Sequence, residues 1–168
     1  MRTLVYLIGC GSRPTTDLPR FAGQLRSAGW DPFIVPTPVG RRFLNASQAE
    51  EKSGNTVYWD FDPDAPNELT QCKARAAVIA PATFNTINKL AAGIADTLAL
   101  ALVHDVLGDG LPVIAVPWTQ ASLARHPAYK NATARLRGWG VRLLPADQSE
   151  LFPWAAVGTQ LEQVRGAA

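Results

Sequence analysis

Short apolar runs alternate along this chain with stretches whose apolar residues recur at helical spacing. The first run, residues 3–9, is almost continuously apolar and predicts a strand buried on both faces. After a glycine-bearing loop, Leu18, Phe21, Ala22, Leu25 and Ala28 fall on one helical face. Thr16 or Asp17 can cap that helix, Pro19 suits its first turn and Gly29 its end. The pattern then predicts a strand over 33–35, a helix over 41–52 and a third strand over 56–59. A polar, proline-bearing loop over 60–67 leads to a short helix over 68–73. A strand over 76–80 stops at Pro81, and one long apolar helix runs over 86–107 until Gly108-Asp109-Gly110. The remaining elements are a strand over 113–116 stopping at Pro117, a helix over 127–139, a strand over 141–144 and a helix over 154–164.

Strands alternating with helices through short connections predict an α/β domain. The expected fold is a single doubly wound (Rossmann-like or flavodoxin-like) domain over 1–168, with a parallel sheet of about six strands and helices on both faces. The 168 residues are 47% hydrophobic and 18% charged with a net charge of +2, which excludes a disordered chain. Charge blocks long enough for a nucleic-acid arm or a membrane patch are absent, so neither partner is expected. The longest apolar runs, about ten residues, are too short to span a bilayer. The N-terminal run shows no cleavage-site pattern, and the expected location is cytoplasmic. Cys10 and Cys72 are too few for a structural zinc site, and no metal is expected; a bridge between them stays open.

In such a sheet, ligands bind beyond the carboxyl ends of the strands. Four loops lie there. Gly9-Cys10-Gly11-Ser12 offers close backbone approach and free N–H groups for a phosphate, or is a plain strand-to-helix turn. Thr37-Pro38-Val39-Gly40 places a hydroxyl and a glycine after a strand, or is a simple turn. Ala80-Pro81-Ala82-Thr83-Phe84-Asn85-Thr86 combines small residues, hydroxyls and an amide just before a helix. Thr83 or Asn85 can equally serve only as the N-cap. The fourth loop, 117–127, is long enough to bind a ligand.

The third loop and the helix after it, through Asp96, resemble the PASANT region of the homo-oligomeric flavin-containing cysteine decarboxylases. That family includes phosphopantothenoylcysteine decarboxylase and the lantibiotic-peptide cysteine decarboxylases. Residues 7–43 are similar to its N-terminal unit: Gly11-Ser12 stands at its glycine-serine turn and Thr37-Pro38 at its threonine-proline. His126-Pro127-Ala128 and the stretch from Leu136 to Val141 match its closing helix. The resemblance implies an FMN cofactor. Gly11, Ser12 and Thr37 would hold the phosphate end, and Ala82, Thr83, Asn85 and Thr86 would line the isoalloxazine or the adjoining subunit contact. It also implies a homo-oligomer, a trimer or a multiple of trimers. Burial between subunits would account for the apolar helix between Leu90 and Val106, as would burial within the monomer.

Two departures limit the functional reading. Decarboxylating members carry a histidine before the strand leading into PASANT; the matching place here is Pro66 or Asn67, neither of which is a base near neutral pH. The family's Pro-x-Met-Asn-x-x-Met-Trp substrate clamp reads Pro117-Trp118-Thr119-Gln120-Ala121-Ser122-Leu123-Ala124. Gln120 keeps an amide, one methylene further out. In the family, flavin oxidises a cysteinyl thiol to a thioaldehyde, and the product loses carbon dioxide as an enethiol. The flavin prenyltransferases are relatives that work without the histidine, but their Arg, Lys and Tyr set is not matched here. Asn67, Gln120 and His126 are the candidate catalytic residues, with Asp60 and Asp62 as alternative bases. Cys10 is a candidate redox group or a small buried residue. Trp59, Trp118 and Tyr58 can stack on a ligand or pack in the core, and His104 is a packing or surface residue. The expected function is an FMN-dependent decarboxylase-like enzyme acting on a cysteinyl small molecule or a peptide C-terminus. The alternative is a flavin-binding regulatory or partner subunit without decarboxylation.

Overall fold

A computed structural model describes residues 2–64, 69 and 73–166. Within them five strands form one parallel sheet: β1 (Thr3–Ile8), β2 (Trp30–Ile34), β3 (Ala76–Ala82), β4 (Val113–Pro117) and β5 (Arg142–Leu143). The spatial order is β2-β1-β3-β4-β5, with Val5 opposite Ala76 and Val78 opposite Ile114. The helices are α1 (Leu18–Ser27), α2 (Ala46–Ser53), α3 (Phe84–Ala91), α4 (Leu98–Gly108), α5 (Ala121–Ala124), α6 (Pro127–Gly138) and α7 (Trp154–Gly166). None of the described helices is long and apolar enough to cross a membrane.

The central strands are continuous apolar runs because both of their faces are covered. Tyr6, Ile8, Ala77, Ile79 and Ala115 pack against Ile87 and Leu90 of α3, Leu98 and Leu102 of α4, and Leu136 of α6. Their alternates Val5, Leu7, Val78, Ile114 and Val116 pack against Phe21 and Leu25 of α1, Ala49 of α2, and Val157 and Leu161 of α7. The doubly wound expectation holds, with a sheet one strand narrower than expected.

The expected strand over 56–59 is not a strand. Outside β2 the sheet edge cannot support a regular ladder. Val35 and Thr37 donate inward to Leu7 and Gly9, so the outward-facing position at 32 is a proline with no N–H to offer. Its carbonyl instead accepts from Asn55 Nδ2, which also bonds Asp31 Oδ1. Val57 turns inward and its N–H donates to Glu50 Oε1. β2 itself starts earlier than expected, at Trp30, whose buried indole donates to Glu162 Oε1 of α7 at 2.9 Å. Arg165 adds a bond to the Ala28 carbonyl at 2.7 Å.

Two expected helices are each broken. The one over 41–52 divides into a 3-10 turn (Gly40–Phe43) and α2, because Asn45 stays extended and caps α2 by accepting from Gln48 N–H. The long helix over 86–107 divides into α3 and α4. Gly93 adopts φ +73°, and Thr97 is extended and caps α4 through Leu100 N–H. A Lys89–Asp96 ion pair and a bond between His104 Nε2 and the Ile94 carbonyl span the break. α4 buries Leu98, Ala99, Leu100, Leu102, Val103 and Val106 within its own chain. β3 does not stop at Pro81 but runs through a cis Ala80–Pro81 bond to Ala82, with a register shift against β4. Most of the helix expected over 68–73 lies outside the described residues.

A Cβ on Gly93 would meet nothing within 4 Å, so a substitution there probes backbone conformation alone. Gly93→Ala is expected to cost about 1–2 kcal/mol and Gly93→Asn less, measured by urea unfolding.

Candidate functional site

The carboxyl ends of β1, β2 and β3 are tied together through their main chains. Thr37 N–H donates to Gly9 O at 3.0 Å, and Cys10 N–H to Pro81 O at 3.3 Å. Gly40 packs so closely that a Cβ there would lie 1.9 Å from Gly9 O. Thr15 is fully buried and donates to the Cys10 carbonyl at 2.6 Å, closing the first loop from below.

Above this platform is a cleft of about 400 Å³. Five of the seven expected cofactor-binding residues line it: Gly11, Thr37, Thr83, Asn85 and Thr86. Gly11 stands against Val39, which a Cβ would strike at 2.4 Å. Thr37 Oγ1 accepts from Gly40 N–H, which commits one lone pair and leaves its proton for an acceptor in the cleft. Thr83 is the N-cap of α3, and its hydroxyl meets both the N–H and the hydroxyl of Thr86. The first N–H groups of α3 have no partner within the helix. Asn85 is exposed at the rim.

The other two expected residues flank the cleft. Ser12 is the N-cap of a 3-10 turn (Arg13–Asp17) that precedes α1. Ala82 is buried at the end of β3, where its carbonyl accepts from Trp118 N–H at 2.8 Å. Lys89, Thr97 and Leu100 also line the cleft and were missed, because a continuous helix over 86–107 would carry the last two away from it. Gly93 as a C-terminal signal and Thr97 as a cap were available to find them.

Of the candidate catalytic residues, Asn67 lies outside the described residues. Gln120 is exposed at the N-cap of the short α5 and makes no side-chain capping bond. His126 is exposed at the N-cap of α6: its Nδ1 accepts from Ala128 N–H, and its ring sits edge-on to Phe84 at 5.6 Å. Neither lines the cleft. Asp60 and Asp62 are exposed and accept bonds from Phe61 and Asp64 N–H. Lys89 is the titratable side chain lining the cleft among the described residues, and it is paired with Asp96.

Cys10 is fully buried beneath the cleft, and its thiol bonds Thr86 Oγ1 at 3.3 Å. Burial pushes that thiol up from its ordinary value, against the weaker opposing pull of hydrogen bonds from Thr86 and Thr83. A neutral, buried thiol is a packing group rather than a nucleophile. The aromatic candidates have partners within the chain: Trp59 lies under the Arg41 guanidinium at 4.5 Å, Tyr58 faces Phe33 at 6.4 Å, and Trp118 meets Phe152 at 5.1 Å.

The sequence profile of the Flavoprotein family matches residues 2–162. The chain belongs to that family. It is 34% identical over 125 residues to the coenzyme A biosynthesis bifunctional protein CoaBC of Mycolicibacterium smegmatis, covering 72% of this chain and 29% of that protein. The chain therefore spans under a third of the length of this curated relative. Among solved structures it is similar to the FMN-dependent cysteine decarboxylase SpaF, with a TM-score of 0.80, 26% identity and 98% of each chain covered. The FMN-dependent cysteine decarboxylase TvaF from thioviridamide biosynthesis shares the fold, with a TM-score of 0.84, 24% identity and 98% of each chain covered.

The Cys10 thiol gives a pH-dependent readout. Its folded value lies above its unfolded value of 9.0, so the stability it contributes is intact below pH 9.0. That contribution is lost as the pH rises from there towards the folded value, because the unfolded chain releases the proton first. Against Cys10→Ala, the wild type is expected to lose up to about 1 kcal/mol between about pH 9 and pH 10, read from urea unfolding. Parallel pH profiles for the two proteins would exclude the buried-thiol assignment.

Proposed function

We propose that the cleft binds FMN and that the chain is a flavin-dependent decarboxylase-like enzyme acting on a cysteinyl small molecule or peptide C-terminus. One observation carries this reading: Gly11, Thr37, Thr83, Asn85 and Thr86 converge on a single cleft at the carboxyl ends of β1, β2 and β3. In a sheet ordered β2-β1-β3-β4-β5, the strand order reverses between β1 and β3, where flavodoxin-like proteins hold FMN. The residues fit the group. Gly11 carries no Cβ and presents bare backbone beside Thr37, with Val39 packed where a side chain would stand. The cleft volume, about 400 Å³, lies in the range of cofactor sites. The hydroxyls of Thr83 and Thr86 and the Asn85 amide supply polar anchors for the edge of a flat ring.

Bound flavin would supply a two-electron acceptor. The chain's own residues orient it: Gly11 and Thr37 at one end, with Thr83, Asn85 and Thr86 at the other. The names of the solved relatives, FMN-dependent cysteine decarboxylases, support a cysteinyl substrate. A homo-oligomer, a trimer or a multiple of trimers, fits the exposure of Ile94 in the segment that borders Thr97. The proposed location is cytoplasmic.

A second reading, a flavin-binding regulatory or partner subunit without decarboxylation, is favoured by a different observation. Gln120 and His126 lie away from the cleft, and its titratable lining group is an ion-paired lysine. Reduction of the bound flavin by a peptide ending in cysteine, followed in the visible spectrum, separates the readings. Bleaching with release of carbon dioxide supports the enzyme, and an unchanged spectrum supports the subunit.

Asn85→Asp places a negative charge against the flavin site. It is expected to weaken FMN binding about tenfold or more, a change of roughly 1.4 kcal/mol. Flavin content and fluorescence titration measure this, and unchanged binding would remove Asn85 from the site.

A further inference from the structure

From Gly110 to Ala146 the chain carries no aspartate or glutamate, yet five of its 16 lysines and arginines stand there: Arg125, Lys130, Arg135, Arg137 and Arg142. All five are exposed, and none makes an ion pair among the described residues. A soluble surface normally intersperses the two signs of charge. Here the nearest acids are engaged elsewhere. Asp109 pairs with Lys73, and Asp147 accepts from the N–H and the hydroxyl of Ser149. Helix α3, packed on α6, brings only Lys89, whose partner is Asp96. Helix α7, which meets Arg142 through Gln160, brings Glu162, held by Trp30 and Arg165. Arg135 is itself committed, donating to the Ala91 carbonyl of α3 at 3.0 Å. Lys130 and Arg137 stand two turns apart on one side of α6, and Arg142 opens β5. Trp139, on the turn between Arg137 and Arg142, is 45% exposed. Tryptophan and arginine are the side chains that most often carry the energy of a protein contact.

We propose that the end of α6, the turn over 138–140 and the start of β5 form a docking face for a short acidic segment of another polypeptide. Arg137 and Arg142 pair with its carboxylates, and Trp139 supplies the apolar contact between them. Lys130 extends the positive field along α6 and steers the segment in. The charge pattern selects a short segment over a long polyanion. Outside 110–146 the chain is net acidic, so a nucleic acid or an anionic membrane reaching past the face meets repulsion. None of these residues lines the flavin cleft, and the face stands whether or not that cleft holds FMN.

The test is fluorescence anisotropy of labelled decaglutamate titrated with the purified protein, compared with an oligothymidylate of the same charge and with phosphatidylserine vesicles. Decaglutamate is expected to bind saturably, and more weakly as salt rises. Arg137→Glu combined with Arg142→Glu is expected to weaken it at least about tenfold, with flavin content and thermal midpoint unchanged. Trp139→Ala is expected to weaken it about threefold or more. Arg20→Glu combined with Lys52→Glu makes the same change in net charge at exposed positions on α1 and α2, and should leave binding within about twofold. Sedimentation velocity is expected to give the same assembly for the wild type and Arg137→Glu/Arg142→Glu. The proposal is overturned by any of four results: no saturable binding of decaglutamate, equal loss in the two double variants, tighter binding of oligothymidylate or vesicles, or a smaller assembly in Arg137→Glu/Arg142→Glu, which would make the face a contact between copies.

Discussion

The contact between Gly40 and the Gly9 carbonyl is the constraint on which the site depends. No side chain fits between these two backbones, since even a methyl carbon would overlap the carbonyl oxygen. The loops after β1 and β2 are thereby locked at one separation, and the Thr37 N–H bond to the same carbonyl fixes their relative height. Cys10 N–H extends the lock to Pro81 and so to the loop after β3. Three strand ends become one platform built of main chain. Thr37, Thr83 and Thr86 add side-chain bonds to this platform and also line the cleft, with Asn85 at its rim.

Much of this was legible in the sequence, for identifiable reasons. Strands buried on both faces, such as 4–8 and 113–116, carry an apolar signal that few other elements produce. The loops at their carboxyl ends are then ligand candidates by topology, and the family resemblance is what singled out Gly11, Thr37, Thr83, Asn85 and Thr86 within them. What failed was local. The break at Gly93 was hidden because apolar residues continue on both sides of it, so periodicity outweighed the glycine and the Thr97 cap. Thr97 and Leu100 were lost from the site with it. The segment over 56–59 has strand-forming residues, but its would-be partner edge contains Pro32, a property of a different element.

Phe84 links the cleft to α6 physically. It follows the N-cap Thr83 of the cleft, lies nearly parallel to Tyr129 of α6 and meets the His126 ring edge-on. A shift of α6 that repositions Tyr129 would press on the start of α3, where Thr83 and Thr86 line the cleft. A close-packed interior transmits strain through such aromatic contacts.

β1 lies in the interior of the sheet, yet its two neighbours come from very different places along the chain: Leu7 pairs with Ile34 on one side and with Val78 on the other. As the ribosome extrudes the polypeptide, β1 and β2 can dock with α1 early, while the other edge of β1 stays open until β3 emerges. That open edge presents a row of unpaired amides flanked by Val5, Leu7 and Ile8, the kind of surface that recruits strands from other chains. Parallel pairing between distant segments is slow to form. The interval between synthesis of β2 and β3 is thus the period in which that edge of β1 lacks its native partner.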